Sequence, residues 1–596
     1  MIRFVRTEVH RFPRFTAAAA ALCLIAVTST ATGAAHMSAR KLPTLKPTFT
    51  AAAAFDVSDS VRNISLHPSA RLPMIPSTEV QEMEVRPEGG PEKAPYRGHT
   101  PDAALQATSP TRRSLAIPST LQNFEGVSNE DNFTIYGGRV APPDPIGAVG
   151  PNHYVEMINL VFAVYDKTGS RLAGPIPLGA LWENFAIPDC TDPSGDPVVL
   201  YDKLEDRWIL SQFTTSGLSD PTRPFWNCVA VSVNGDPTGA YYRYAFETTV
   251  NDTFYFPDYP KYGNWKKSYV LTSRDFGPTV EYGISVYALE KNRMIAGDPK
   301  ARMVHFFLDS NVVPLELIGD GLLPADFDGT KQPAESAPIP IVGTQDDGAG
   351  YGATFDALNV WEMSIHWNAR PDASIRLATQ LPVASFDSIF PCFGADGRGC
   401  LPEPGVVDKE RWLDVLSYRQ RPTWRLAYRN FGGYESMVTN QSVEASPGTA
   451  GVRWYEIRRS QTGTYSLTQQ GTYAPADGVN RWMGSIAQDK KGNMALGYSV
   501  VDATSVKPGI RYTGRLAGDP AGQMTQGEGT VINGTGVQLT TNSRWGDYTS
   551  MNVDPTDDCT FWYVNEYYQI DGIIGVNTAP WQTRIGSFKL PGCSGP

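Results

Sequence analysis

An all-β body built from repeated sheets is what the sequence predicts, on three observations. Aromatic residues make up 11% of the 596 residues, and Gly (55) and Pro (47) are plentiful. Aromatic strands cut by Gly, Pro and Asp turns are the composition of a β protein, and long Ala/Leu/Glu/Lys helical runs are missing. From Leu121 onward, short apolar or aromatic runs alternate with turns of Asp, Gly, Pro and Asn. A strand–turn–strand phrase then recurs along the chain, the mark of a repeat architecture. A body this long outgrows one small core, whereas a ring of sheets can accommodate it because each sheet adds its own layer.

The N-terminus reads as an export signal over residues 1–35. Arg3, Arg6, Arg11 and Arg14 form a basic start, AAAAALCLIAV from Ala17 to Val27 is an apolar core, and small residues through Ala34 and Ala35 offer a cleavage point. The apolar run is too short for a membrane span. Residues 36–120 are rich in Pro, Ala, Ser and Thr, as in KLPTLKPTFTAAAA and RPEGGPEKAP, and carry no useful periodicity. They are expected to be a disordered linker or pro-segment. The body then runs over 121–596. These features predict a secreted, monomeric protein, extracellular or, in a Gram-negative host, periplasmic.

The net charge is −11 with Lys and Arg dispersed, which excludes nucleic acid as the main partner, since phosphate binding needs a basic patch. Six cysteines follow the signal: Cys190, Cys228, Cys392, Cys400, Cys559 and Cys593. An even number in an exported chain predicts three disulfides, with fifteen pairings open. The simplest joins neighbours, Cys190 to Cys228, Cys392 to Cys400 and Cys559 to Cys593. None has zinc-site spacing.

The repeat is plainest in three late segments: RWLDVLSYRQRPTWRLAYRNF from Arg411, RWMGSIAQDKKGNMALGYSV from Arg481, and RWGDYTSMNVDPTDDCTFWYVNEYY from Arg544. Each reads as Arg-Trp, a strand, a polar turn and an aromatic-rich strand. DPIGAVGPNHYVEMINLVFAVYDKTG from Asp144, GDPVVLYDKLEDRWILSQF from Gly195 and FPDYPKYGNWKKSYVLTSRDF from Phe256 share the shape, with a weaker copy between Asp326 and Ile341. The Gly195 unit continues into CVAVSVN and YYRYAF, a full four-strand set. The expectation is a β-propeller, seven four-stranded blades, whose closure removes exposed edges. A pair of β-sandwiches is the competing architecture.

The phrases PPDPIGAVGPNHYV, DPVVLYDKLEDRWILSQF, CVAVSVNGDPTGAYYRYAF, FPDYPKYGNW and RWGDYTSMNVDPTDDCTFWYVNEYY resemble those of a widespread group of exported bacterial proteins, itself similar to the sialidase-like (BNR-type) propellers. The resemblance covers about Phe124 to Leu590. It implies fold and export, and no activity follows from it.

Several constellations could carry chemistry. Asp144, Asp196, Asp258, Asp414 and Asp547 stand at the starts of repeats, where a ring would gather them on one rim, to hold Ca²⁺ or sugar hydroxyls; the competing reading is local turn bonding. Arg411, Arg481 and Arg544 could converge on one carboxylate. That resemblance implies a sialidase-type arginine triad, with Glu566 beside Tyr567 and Tyr568 supplying the residue types of a tyrosine nucleophile and its partner. The Arg-Ile-Pro phrase and Ser-x-Asp-x-Gly-x-x-Trp boxes of sialidases are missing, and the alternative is that the Arg-Trp pairs pack blades. Asp202, Asp206, Asp489, Asp554, Asp557 and Asp558 read as turn formers. In DCTDPSGDP, Asp189, Asp192 and Asp196 could bind Ca²⁺. No other cofactor is implied.

His153, His305 and His366 are far apart, and no Gly-x-Ser-x-Gly elbow, His-Glu-x-x-His motif or phosphate-binding Gly loop occurs. A carboxylate-pair hydrolase needs no motif and stays open. The leading expectation is a propeller that binds an extracellular glycan or surface molecule at one rim. The alternatives are a sialidase-like or carboxylate-pair glycoside hydrolase, and a structural surface protein.

Overall fold

The structure, a computed structural model, describes residues 42–67, 81–82, 95–108 and 117–594, apart from 193–194, 250–252, 278–281, 395–396, 416–419, 541–542 and 574–578. The expected export signal, residues 1–35, lies outside the described residues.

The body is nearly all β and its sheets are antiparallel meanders. The first runs Ile146–Val149, His153–Ile158, Val161–Asp166, Arg171–Pro177, and the second Val198–Asp202, Arg207–Phe213, Trp226–Ser232, Tyr241–Glu247. The third begins at Phe256–Asn264, and a nine-stranded sheet contains meanders beginning at Leu323–Asp328 and Thr423–Asn430, which pair in parallel with Ala325 opposite Leu426. Further meanders begin at Asn480–Gln488 and Ser550–Val553. These first strands are neighbours in chain order, and Ser550–Val553 returns to Ile146–Val149, so the set closes on itself. The last meander takes its outer strand, Gln122–Ser128, from the beginning of the body, with Phe124 opposite Ile585.

Sheets flanked on both sides by other sheets must be apolar on both faces. Ser268–Phe276 and Tyr282–Glu290 are buried at every position. The apolar clusters cross sheet boundaries: Trp208, Tyr262, Tyr269 and Tyr287 share one, and Trp482, Trp545, Trp562 and Trp581 another. Cysteine pairs join Cys190 to Cys228 and Cys559 to Cys593 at two meanders, and Cys392 to Cys400 within the connection from Pro382 to Thr423. For the Cys190–Cys228 loop, with a sequence separation of 38, loop closure alone is worth about 4 kcal/mol on the chain-entropy account.

Ion pairs bind one sheet to the next. Asp202, at the end of its strand, meets Lys291 Nζ of the third meander at 2.5 Å, and both side chains are fully buried. Tyr269 and Asn264 donate to the same carboxylate at 3.0 and 2.9 Å. Arg425 bridges Asp326 and Asp328 at 2.7 Å each, Arg429 holds Asp558 through two 2.7 Å bonds, and Lys167 reaches Asp554 at 2.8 Å. The expected turn role holds for Asp202, Asp489, Asp554 and Asp557, which accept backbone N–H groups of their own turns. Asp206 accepts from Tyr201 at 2.7 Å.

Two expectations need correction. The segment 36–120, expected to be disordered, supplies strands Thr48–Ala51 and Ala54–Val57, which add to the outer edges of the third and second meanders. Leu105–Gln106 adds likewise beside Thr472–Tyr473. Composition misleads here because such short strands need no core of their own; they borrow hydrogen bonds from an existing edge. Phe55 packs on Tyr244 with ring centroids 5.0 Å apart, and Asp56 takes two bonds from Arg243 at 2.7 and 2.6 Å. The Arg411 phrase also does not open a strand. Lys409–Arg411 is a short 3₁₀ turn in a long connection, and the strand begins only at Thr423.

Removing one partner of a buried ion pair strands the other charge in a low-dielectric interior. Lys291→Met is therefore expected to lower the unfolding free energy in urea by about 3–5 kcal/mol. The exposed Lys300→Met should change it by less than about 0.5 kcal/mol. Equal, small effects would contradict the latch.

Candidate active site at the ring mouth

At or just before the first strands the chain repeatedly adopts left-handed backbone: Asp144 (φ 50°), Asp196 (φ 44°) and Ser543 (φ 57°) ahead of them, and Tyr259 (φ 55°) at an irregularity within Phe256–Asn264. Asp tolerates this region better than most residues. Pro145, Pro197 and Pro260 follow Asp144, Asp196 and Tyr259 and fix the direction of the strand. Because the first strands lie side by side, these turns bring their side chains together.

Asp144 accepts from the Asp547 backbone N–H at 2.6 Å and from Asn159 Nδ2 at 2.7 Å. Asn159 Oδ1 accepts from the Asp196 N–H at 3.0 Å, so one amide links the two aspartates. The Tyr548 hydroxyl lies 3.2 Å from Asp196 Oδ2 and 2.9 Å from the Pro260 carbonyl oxygen. Asp547 meets Arg544 at 2.9 Å and Arg421 at 3.6 Å, and Arg544 reaches Asp414 at 3.6 Å. Arg274 stands between Asp258 (3.4 Å) and Asp320 (3.3 Å). Glu566 accepts from the Gly546 N–H through Oε1, while Oε2 has no hydrogen-bond partner among the described residues.

Lys261 occupies the middle of this array. It is 1% exposed, its Nζ lies 3.1 Å from the centroid of the Tyr259 ring and 3.2 Å from that of Tyr548, and it has no hydrogen-bond acceptor among the described residues. The Arg421 guanidinium covers Tyr259 at 3.7 Å.

Desolvation, then the charge of Asp547, raises the Asp144 carboxyl well above the usual range. Burial and the charges of Asp258 and Asp547 push Asp196 up to about 7, against the opposing pull of Lys261. Burial raises Glu566 strongly, and desolvation drives Lys261 well below an ordinary lysine. Burial therefore favours the neutral form of Asp144, Asp196 and Glu566, while Asp547 sits between two guanidiniums. Contrasting environments of this kind are what acid–base chemistry uses.

Of the residues singled out from sequence, Asp144, Asp196, Asp258, Asp414, Asp547, Arg544 and Glu566 belong to this array. Others do not. Arg481 is held by Asp477 (2.7 Å) and Glu528 (2.8 Å), and Arg411 by Asp408 (3.2 Å) and the Leu539 carbonyl (2.7 Å). The expected arginine triad therefore does not form. The Arg-Trp pairs occupy inequivalent places, a 3₁₀ turn, a strand and a loop. Tyr567 donates to Glu125 at 2.9 Å, because neighbours along a strand face opposite ways and Glu566 takes the inner side.

The expected cation trio is also divided. Asp189 pairs with Arg223, Asp192 accepts from Ser216 at 3.2 Å, and Asp196 joins the mouth. Among the described residues, the group of metal-type ligands whose atoms lie within 4.8 Å of one another is Asp346, Asp347 and Asp356. Asp346 and Asp356 spend their oxygens on the Ser388, Asp347 and Phe386 N–H groups, so the cluster fastens a loop.

Sequence reading missed Asn159, Tyr259, Lys261, Arg274, Arg421 and Tyr548. One signal was present: the dipeptide Asp-Tyr occurs at 258–259 and again at 547–548, and its two tyrosines clasp Lys261.

No known protein family matches the chain, and no curated protein does. Solved structures similar to part of it include an endo-arabinase from Bacteroides thetaiotaomicron (11% identity, 55% of this chain and 94% of that one, TM-score 0.26). An α-L-arabinofuranosidase from Fusarium graminearum matches at 10% identity over 67% and 92%, TM-score 0.32. An α-L-arabinanase from Penicillium chrysogenum matches at 10% over 67% and 94%, TM-score 0.27.

The Asp196 shift has a definite sign. With its folded-state value raised from 3.8 to about 7, its contribution to stability is fully present below pH 3.8 and is lost as pH rises through 7. Between pH 5 and pH 8, wild type should lose about 2 kcal/mol relative to Asp196→Asn, whose side chain does not titrate. Urea midpoints at the two pH values measure this. Parallel pH profiles would contradict the assignment.

Proposed function

We propose that the closed set of meanders is a seven-bladed β-propeller of an exported protein, and that its mouth binds a glycan. The observation that carries this reading is the convergence of Asp144, Asp196, Asp258 and Asp547 with Arg274, Arg421, Lys261 and two tyrosines at the strand starts. Carboxylates and guanidiniums bond sugar hydroxyls, and the two tyrosines hold Lys261 among them. Disulfides fit an oxidising compartment. Among the described residues, no helix is long and apolar enough to cross a membrane.

A carboxylate-pair glycoside hydrolase is the second reading. It is favoured by one pair: Asp196, a proton carrier near neutral pH, and Asp547, between Arg544 and Arg421. In that reading Asp196 protonates the leaving oxygen and Asp547 serves as base or nucleophile.

A glycan array and a reporter-glycoside screen, each with Ca²⁺ and with chelator, test both. Wild type is expected to retain one glycan class, and Asp547→Asn to weaken retention at least about tenfold. Reporter release lost in Asp547→Asn would establish the hydrolase; retention without release would establish binding alone. Retention by neither protein, or equally by both, would overturn the proposal. Loss on chelation would place a cation among the mouth carboxylates.

A further inference from the structure

The connection between Pro382 and Thr423 crosses to the mouth and is pinned there. Cys392 and Cys400 close its tip. Phe393 and Gly399 exchange backbone hydrogen bonds of 2.9 and 3.0 Å, and Leu401 and Leu413 exchange 3.0 and 2.9 Å bonds. The Asp414 N–H donates to Ser543 at 2.9 Å, and the Asp414 carboxylate reaches Arg544 of the mouth.

Two aromatic rings stand on this scaffold. Phe393 and Trp412 meet at 89° with centroids 5.6 Å apart, and Phe393 is 38% exposed. The Trp412 indole N–H is spent on the Val406 carbonyl at 3.0 Å, which fixes the ring. The exposed Lys409 places Nζ 4.2 Å from the Phe393 centroid and 5.3 Å from that of Trp412. Trp412 lies two residues from Asp414, at most about 7 Å of chain.

The geometry points to Phe393 and Trp412 as a sugar-stacking subsite beside the mouth, with Lys409 donating to ring hydroxyls. This inference rests on the glycan reading above. The occupant is the next sugar of the chain bound at the mouth, because Trp412 is two residues from Asp414, which is tied to Arg544 of the mouth. A rigid aromatic face loses little conformational freedom on stacking, and Lys409, which lies over Phe393 on a flexible exposed side chain, can swing from the ring to the hydroxyls of a sugar that replaces it there.

Affinity electrophoresis of the full chain through arabinan, galactan, xylan and polygalacturonate gels tests it. Wild type should be retarded by at least one of them. Phe393→Ala should raise the apparent Kd about tenfold with melting temperature unchanged, Trp412→Ala should raise it at least as much, and Phe393→Tyr should stay within about twofold of wild type. Because Phe393 is partly exposed, its alanine variant reads the platform even where Trp412→Ala disturbs the loop. Retardation that survives both alanine variants but is lost in Asp547→Asn would overturn the subsite and leave the mouth reading intact. No retardation of wild type in any gel would overturn both.

Discussion

Closure of the sheets is the constraint from which the site follows. When first strands lie side by side and the last returns to the first, their starting turns are forced into one small space. Whatever residues occupy those turns become neighbours, however far apart in sequence. Asp144 and Asp547, separated by most of the body, share a 2.6 Å hydrogen bond for this reason. Carboxylates crowded in this way repel one another and lose solvation. The fold answers with Arg274, Arg421 and Arg544, with the Asn159 amide between two aspartates, and with burial that favours the neutral carboxyl at Asp144, Asp196 and Glu566.

The two ends of the first strands solve different problems. At their far ends, opposite charges pair across sheet boundaries, as Lys291 with Asp202 and Arg429 with Asp558, and those pairs serve closure. At the mouth the accounts do not close so neatly. Lys261 Nζ and Glu566 Oε2 are buried and lack hydrogen-bond partners among the described residues. Unsatisfied buried polar atoms are costly, which marks these two for explanation.

Much of this was legible in the amino-acid order, for a physical reason. Strands and turns leave local marks, so the meanders around Asp144, Gly195 and Phe256 could be read directly, and position in a repeat pointed to Asp196, Asp258 and Asp547. What failed was the reading of function from a shared dipeptide. Arg411, Arg481 and Arg544 precede Trp alike, yet stand on a turn, a strand and a loop, so their side chains point to different partners. The metal trio Asp189, Asp192 and Asp196 failed because closeness in sequence is not closeness in space once a ring pulls one of them inward. The edge strands Thr48–Ala51 and Ala54–Val57 were hidden because their order is borrowed from sheets far along the chain. Lys261 and Arg421 were hidden because nothing local distinguishes a buried cation from a surface one.

A ligand received at the mouth, as proposed, protects the backbone of the turns that build it. Hydrogen-exchange mass spectrometry of the full chain, with and without an oligosaccharide cut from whichever polysaccharide it binds, tests this most directly. The account predicts slowed exchange in peptides spanning 257–263, 411–415 and 543–549, with the outer strands Arg171–Pro177 and Asp372–Pro382 unchanged. Protection confined to outer strands, or none at the mouth, would contradict it.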